Sequence, residues 1–311
     1  MLQRLSIGLL ASALALNPLP GRSQDGSADD LGVMSISLKE EIKPTIGFQA
    51  ALQAAGTPNQ AGLGGFLPVA VNDNSVIFLD ALANFNFADR SNYSSIVDTT
   101  VKGTTISTST RLGYRWQNEE DSWMYGLNAG YDSRPMNSGY ADSGISVEDG
   151  SAFYQQIGFN LEAISSEWKF NAYGLIPVGE TTQVLNWNYN GGALLTYGLD
   201  TGYWITSNLQ ANIGAYYQKG DYNKCKGRDE VNNVGLRSSL SYRITDGLDA
   251  RINGSYDDSY DWRLSAALQY RFGADSAKLP KKQALISTPE NRDIRVHDRA
   301  FTFMPIGRCR L

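Results

Sequence analysis

Trp262-Arg263-Leu264-Ser265-Ala266-Ala267-Leu268-Gln269-Tyr270-Arg271-Phe272 is the stretch that decides the fold. One phase holds Leu264, Ala266, Leu268, Tyr270 and Phe272, while the other holds Arg263, Ser265, Gln269 and Arg271. Successive side chains of a strand point to opposite faces, so alternation at period two describes a strand lying between an apolar and a wet environment. Residues 248–256 repeat the pattern just upstream. Further back, Val234, Leu236, Leu240 and Tyr242 oppose Asn233, Gly235, Arg237 and Ser241, and Leu209, Ala211, Ile213, Ala215 and Tyr217 oppose Gln210, Asn212, Gly214 and Gln218. The same reading holds at residues 168–172, 153–163, 122–132 and 104–116. Weaker members lie at 192–203 and 75–87, with a leading hairpin at 45–53 and 62–71. That makes about twelve strands.

Their connections alternate in length. Short ones fall at 72–74, 117–121, 164–167, 204–208 and 243–247, with longer ones between them at 88–103, 133–151, 177–191 and 220–231, and a short last one at 257–261. Transmembrane β-barrels have this rhythm, with short turns at the periplasmic side and long loops outside. A soluble sandwich would also alternate, but it would put its bulk mid-strand. Here the aromatics sit at strand ends. Tyr114, Trp116, Trp123, Trp168, Tyr242, Tyr270 and Phe272 lie beside short turns, and Tyr131, Tyr217 and Trp262 lie beside the opposite connections. Two girdles flanking an aliphatic band match anchoring at both edges of a bilayer. The expected fold class is all-β, a transmembrane antiparallel β-barrel over residues 45–273.

Composition removes other classes. The chain has 311 residues, 42% hydrophobic and 19% charged. Its longest apolar run, 7–16, is shorter than the roughly 18 residues a membrane helix needs. The one histidine, His297, and the two cysteines, Cys225 and Cys309, offer no His-based dyad in the barrel and no Cys/His zinc site. No catalytic residue, metal or cofactor is therefore expected, and the chain does not read as an enzyme. Arg4, the apolar run after it, and Pro18, Pro20 and Gly21-Arg22-Ser23 read as a cleavable secretory signal over 1–23. Residues 24–44 form a short acidic lead-in. The acidic clusters in turns, Glu119-Glu120-Asp121 and Asp257-Asp258, read as solvated turns rather than calcium sites.

Several stretches resemble the barrel domain of intimin and invasin, the inverse autotransporters. They are Gly65-Phe66-Leu67-Pro68, Arg111-Leu112-Gly113-Tyr114-Arg115, Trp123 to Asp132 with its Gly126-x-Asn128-x-x-x-Asp132 spacing, Ile157-Gly158-Phe159-Asn160-Leu161-Glu162 and Asn171-Ala172-Tyr173-Gly174. The resemblance implies a twelve-stranded outer-membrane barrel whose C-terminal passenger crosses the lumen to the cell surface. This chain departs from the family at both ends: 24–44 is too short for a peptidoglycan-binding module, and 274–311 is too short for a series of Ig-like repeats. Adhesion is accordingly not expected. Two functions compete, translocation or display of a C-terminal segment, and a porin-like channel for small solutes.

Asp80, Arg111, Arg115, Asn128, Glu162, Asp200, Arg237, Asp249, Arg251, Arg263 and Arg271 fall in the wet phase and are expected to line the lumen, as a selective pore or as paired charges bracing strands or a plug. The tail 274–311 carries eight basic and four acidic residues, a balance of +4, against −11 over 24–273 (17 basic, 28 acidic). That suits an acidic lumen or lipopolysaccharide, not nucleic acid, in an exported chain. The expected partners are outer-membrane lipid, lipopolysaccharide and the barrel-assembly machinery, whose terminal signal Gln269-Tyr270-Arg271-Phe272 resembles. Oligomeric state is not legible. Nothing in the tail is patterned to pack, so the expectation is a tail in the periplasm with both thiols free. Threading through the lumen, with Cys225 joined to Cys309, is the alternative.

Overall fold

A computed structural model describes residues 42–52, 59–87, 105–120, 122–140, 146–186, 189–224, 227–258, 261–272 and 284–296. The signal segment 1–23, most of the acidic lead-in, His297, Cys225 and Cys309 lie outside the described residues.

The described strands are β1 (Thr45–Leu52), β2 (Asn59–Val71), β3 (Ser75–Phe87), β4 (Thr105–Gln117), β5 (Met124–Tyr140), β6 (Ser146–Ile164), β7 (Trp168–Val178), β8 (Thr182–Asn186), β9 (Tyr189–Gly192), β10 (Leu195–Trp204), β11 (Leu209–Lys224), β12 (Gly227–Thr245), β13 (Leu248–Asp257) and β14 (Asp261–Phe272). Twelve of them close into an antiparallel barrel. Each strand pairs with the next, β7 pairs directly with β10, and β14 returns to β1 with Phe272 opposite Ile46 and Ala266 opposite Leu52. Closure gives each of these twelve strands a hydrogen-bonded neighbour on both sides, which is how a sheet meets lipid without open edges.

Burial inverts the pattern of a water-soluble fold. On β14, Leu264 is 64% exposed and Arg263 only 5%. Leu112, Leu199, Ile213, Val234 and Leu236 are likewise outside, while Arg111, Arg115, Asn128 and Asn160 are buried. An apolar exterior around a polar interior is the arrangement that lipid selects.

Two sequence expectations need correction. The connections 133–151 and 220–231 are largely strand: β5 and β6 run to 17 and 19 residues and β11 and β12 to 16 and 19, where about 9–11 suffice to cross a bilayer. Apolar alternation stops at the membrane edge because beyond it neither face needs to be greasy, yet the ladder bonds continue. The connection 177–191 also contains a hairpin, β8 with β9, that β6 and β11 hold from either side.

The lumen is not uniformly polar. At the short-turn end Phe66, Val76, Phe78, Met124 and Ile164 point inward and are buried, with the Phe66 and Phe78 rings stacked 5.0 Å apart. Glycines make room for the large lumen groups. A Cβ on Gly158 would press on the Arg111 guanidinium, and one on Gly235 would strike the Tyr216 ring.

Candidate functional site: the lumen and the segment inside it

Residues 284–296 run through the barrel. They enter at the short-turn end as one helical turn, in which Ala284, Leu285 and Ile286 pack on Phe66, Val76, Phe78, Met124 and Ile164, with Ile42 from the lead-in completing the cluster. They leave at the other end, where Val296 forms an antiparallel bridge with Ala193 and the Leu194 amide donates to the Arg295 carbonyl at 3.1 Å. Thirteen residues reach about 40 Å when extended, enough to cross a hydrocarbon core of about 30 Å.

An irregular backbone at membrane depth needs a protein partner for each peptide group. Wall arginines supply many of them. Arg115 donates Nη1 to the carbonyls of Leu285 and Ser287, both at 2.9 Å, and Arg271 donates to the Ile286 carbonyl. Higher up, Arg111 donates to the Asn291 carbonyl at 3.3 Å, Gln156 to that of Arg292 at 3.2 Å, and Arg134 to that of Ile294 at 2.9 Å. Arg115, Arg111 and Arg134 thus stand at successive heights on the wall and grip successive points of the segment.

Side chains add a second set of ties. Arg292 pairs with Asp80 at 2.6 Å, both nearly fully buried. Glu290 sits between Lys169 at 2.9 Å and Arg251 at 2.8 Å. Asn291 accepts from Arg237 at 2.8 Å, and Asp293 accepts from Gln60 at 3.2 Å. Arg295 lies over the Tyr216 ring at 4.9 Å, within the range of a cation–π contact.

Those wall groups are themselves braced. Arg111 meets Asp132 with two parallel bonds of 2.7 and 2.8 Å, and Arg115 meets Glu162 at 3.0 Å while lying 4.5 Å over Phe78. Bidentate pairing fixes the plane of a guanidinium, which is what aims the remaining N–H groups at the segment. Arg237 is paired with Asp200 and lies over Tyr173, Arg243 faces Asp249 at 3.4 Å, and Asn128 accepts from Asn160 at 3.0 Å.

All the wet-phase residues singled out in the sequence therefore face the lumen, and most of them face the segment. The sequence missed the segment itself. It is held by its own carbonyls and by single charged or polar side chains with no repeating period, so no side-chain pattern reveals it. The expectation of a tail left in the periplasm is overturned for residues 284–296. Asp257, read as a solvated turn, is also corrected. It ends the wet phase of β13, is fully buried, and accepts from Tyr216 and Arg263, both at 2.5 Å.

A cavity of about 470 Å³ remains beside the segment, along β10 to β14. Asn212 donates to Ser239 and Asn253 to Ser265 on its wall, each at 3.1 Å, among charged residues that include Asp200, Arg237, Asp249 and Arg251.

The aromatics form the two rims. At the short-turn end Tyr114, Trp116, Tyr125, Trp123, Phe170, Trp168 and Tyr203 follow one another with ring separations of 4.9–6.4 Å, and Tyr270 and Phe272 continue beside β1. Tyr242, on β12, is half exposed on the same outer face. At the other end Tyr217 packs beside Tyr197 at 5.0 Å and Trp262 beside Tyr256 at 5.2 Å, both pairs tilted, while Tyr131 bonds Gln155.

No protein-family model and no curated protein matches the chain. Solved structures do. A membrane protein solved in work on the mechanism of in-meso crystallization superposes with a TM-score of 0.58 at 13% identity, covering 82% of this chain and 98% of that one. An outer membrane channel from Pseudomonas putida F1 gives 0.49 at 12% identity, over 80% and 100%. The KdgM porin gives 0.39 at 8% identity, over 73% and 99%. The first of these shares the chain's fold, and none of these likenesses singles out the intimin and invasin family.

Proposed function

We propose that this outer-membrane barrel holds its own C-terminal segment through the lumen and presents the residues that follow Val296 at the loop end. The observation that carries the reading is the run of ties from Leu285 at the short-turn end to Val296 at the other. Because short turns of such barrels face the periplasm and long loops face outside, the segment points from periplasm to surface. This is the topology implied by the resemblance to the inverse autotransporters. An epitope placed after Leu311 should be reached by antibody on intact cells. An epitope seen only after the outer membrane is breached would reject the reading.

A second reading, a porin-like channel for small solutes, draws on one specific observation. The segment leaves about 470 Å³ unfilled, room for on the order of fifteen waters. Conductance in planar bilayers with the segment in place separates the two: a steadily open pore favours the channel.

A further inference from the structure

The cavity beside the segment has unlike ends. At the short-turn end it reaches the turn residues Ser207, Asn208, Asp246 and Gly247. Toward the loops it runs up to Arg263 and Arg295. There Tyr216 leans over the missing side chain of Gly235 and reaches from β11 to Asp257 on β13. Arg263 on β14 donates to both the Tyr216 hydroxyl, at 2.6 Å, and Asp257. Arg295 of the inner segment covers the Tyr216 ring. Tyr216, Asp257 and Arg263 are each at most 5% exposed. One hydrogen-bonded layer thus spans β11 to β14 and joins the inner segment.

We propose that Tyr216, Asp257 and Arg263, with Arg295 laid over them, form a gate that closes a small hydrophilic conduit running beside the segment. The conduit below it opens to the periplasmic end, and its wall of Asn and Ser interleaved with arginines and carboxylates of both signs suits small water-soluble solutes. The gate needs no departure of the segment. Three of its four members belong to the wall, and the segment is tied separately through Arg115, Arg111 and Asp80. A buried pair closes well because removing one partner strands a charge in a dry site, and the tyrosine completes the seal at no cost in charge.

The test compares the full-length wild-type chain with the variant Tyr216→Ser, Asp257→Ser, Arg263→Ser, in which both charges leave together. Each is reconstituted in planar bilayers in potassium chloride, with heat-modified gel migration confirming a folded barrel. Trypsin cleavage after Arg292 reports whether the segment has left. The expected result is a quiet wild type and a several-fold higher unitary conductance in the variant, with Arg292 still protected. A folded variant as quiet as wild type overturns the gate. So does a wild type that conducts steadily, or a variant that conducts only where Arg292 has become cleavable. Display is read independently by the surface epitope, so either proposal can fail without the other.

Discussion

Arg115 binds Glu162 through Nε, grips the Leu285 and Ser287 carbonyls through Nη1, and lies over Phe78. Removing one member of a buried pair leaves the other charge unsolvated, at about 3–5 kcal/mol. Arg115→Ala should therefore lower the unfolding free energy, read from urea titration of the gel shift, by an amount in that range, whereas Arg115→Met with Glu162→Gln should lose far less. Equal losses in the two would show that the pairing is not what holds the site. The two residues could be placed in the lumen from sequence because period two separates wall from interior. Their partner could not, because a backbone carbonyl is the same at every position. Asp257 was misread for a related cause: a turn signal and the last lumen position of a strand coincide there.

Among the elements, the helical turn at residues 284–286 and the tall hairpins carry the lesson. Leu285, 1% exposed, fills the apolar pocket at the short-turn end of the lumen. Leu285→Asp would place a charge in that pocket without a partner, so the segment should leave the lumen. Cleavage after Arg292 by added trypsin should then appear in the folded variant and stay absent from wild type. If Arg292 remains protected, the turn does not seat the segment. At the barrel's seam, Phe272 pairs with Ile46 and packs on Phe48 at 5.8 Å. Phe272→Ser should reduce membrane yield through both lost closure and a weakened terminal signal. Unchanged yield and heat-modifiability would remove that role. The number and order of barrel strands were legible because lipid and lumen impose opposite demands on alternate residues. Strand length above the membrane and the β8–β9 hairpin were not, since water outside makes no such demand.

For the molecule as a whole, the inner segment is balanced in charge, Glu290 and Asp293 against Arg292 and Arg295, and the wall meets these charges one by one, Asp80 at Arg292 and Lys169 with Arg251 at Glu290. With the segment emerging beside the loops, Val296 to Cys309 is thirteen residues, a reach of up to about 43 Å, and Cys225 falls between β11 and β12 at that same end. Non-reducing mass spectrometry should then find a Cys225–Cys309 linked peptide in protein from oxidised outer membranes. Two free thiols would leave the segment held by the lumen contacts alone. An epitope placed after Leu311 reads both the direction and the extent of the threading. Antibody binding to intact cells, lost after external protease while the barrel core persists, is the predicted result. An epitope protected on intact cells and exposed only when the outer membrane is opened would contradict it.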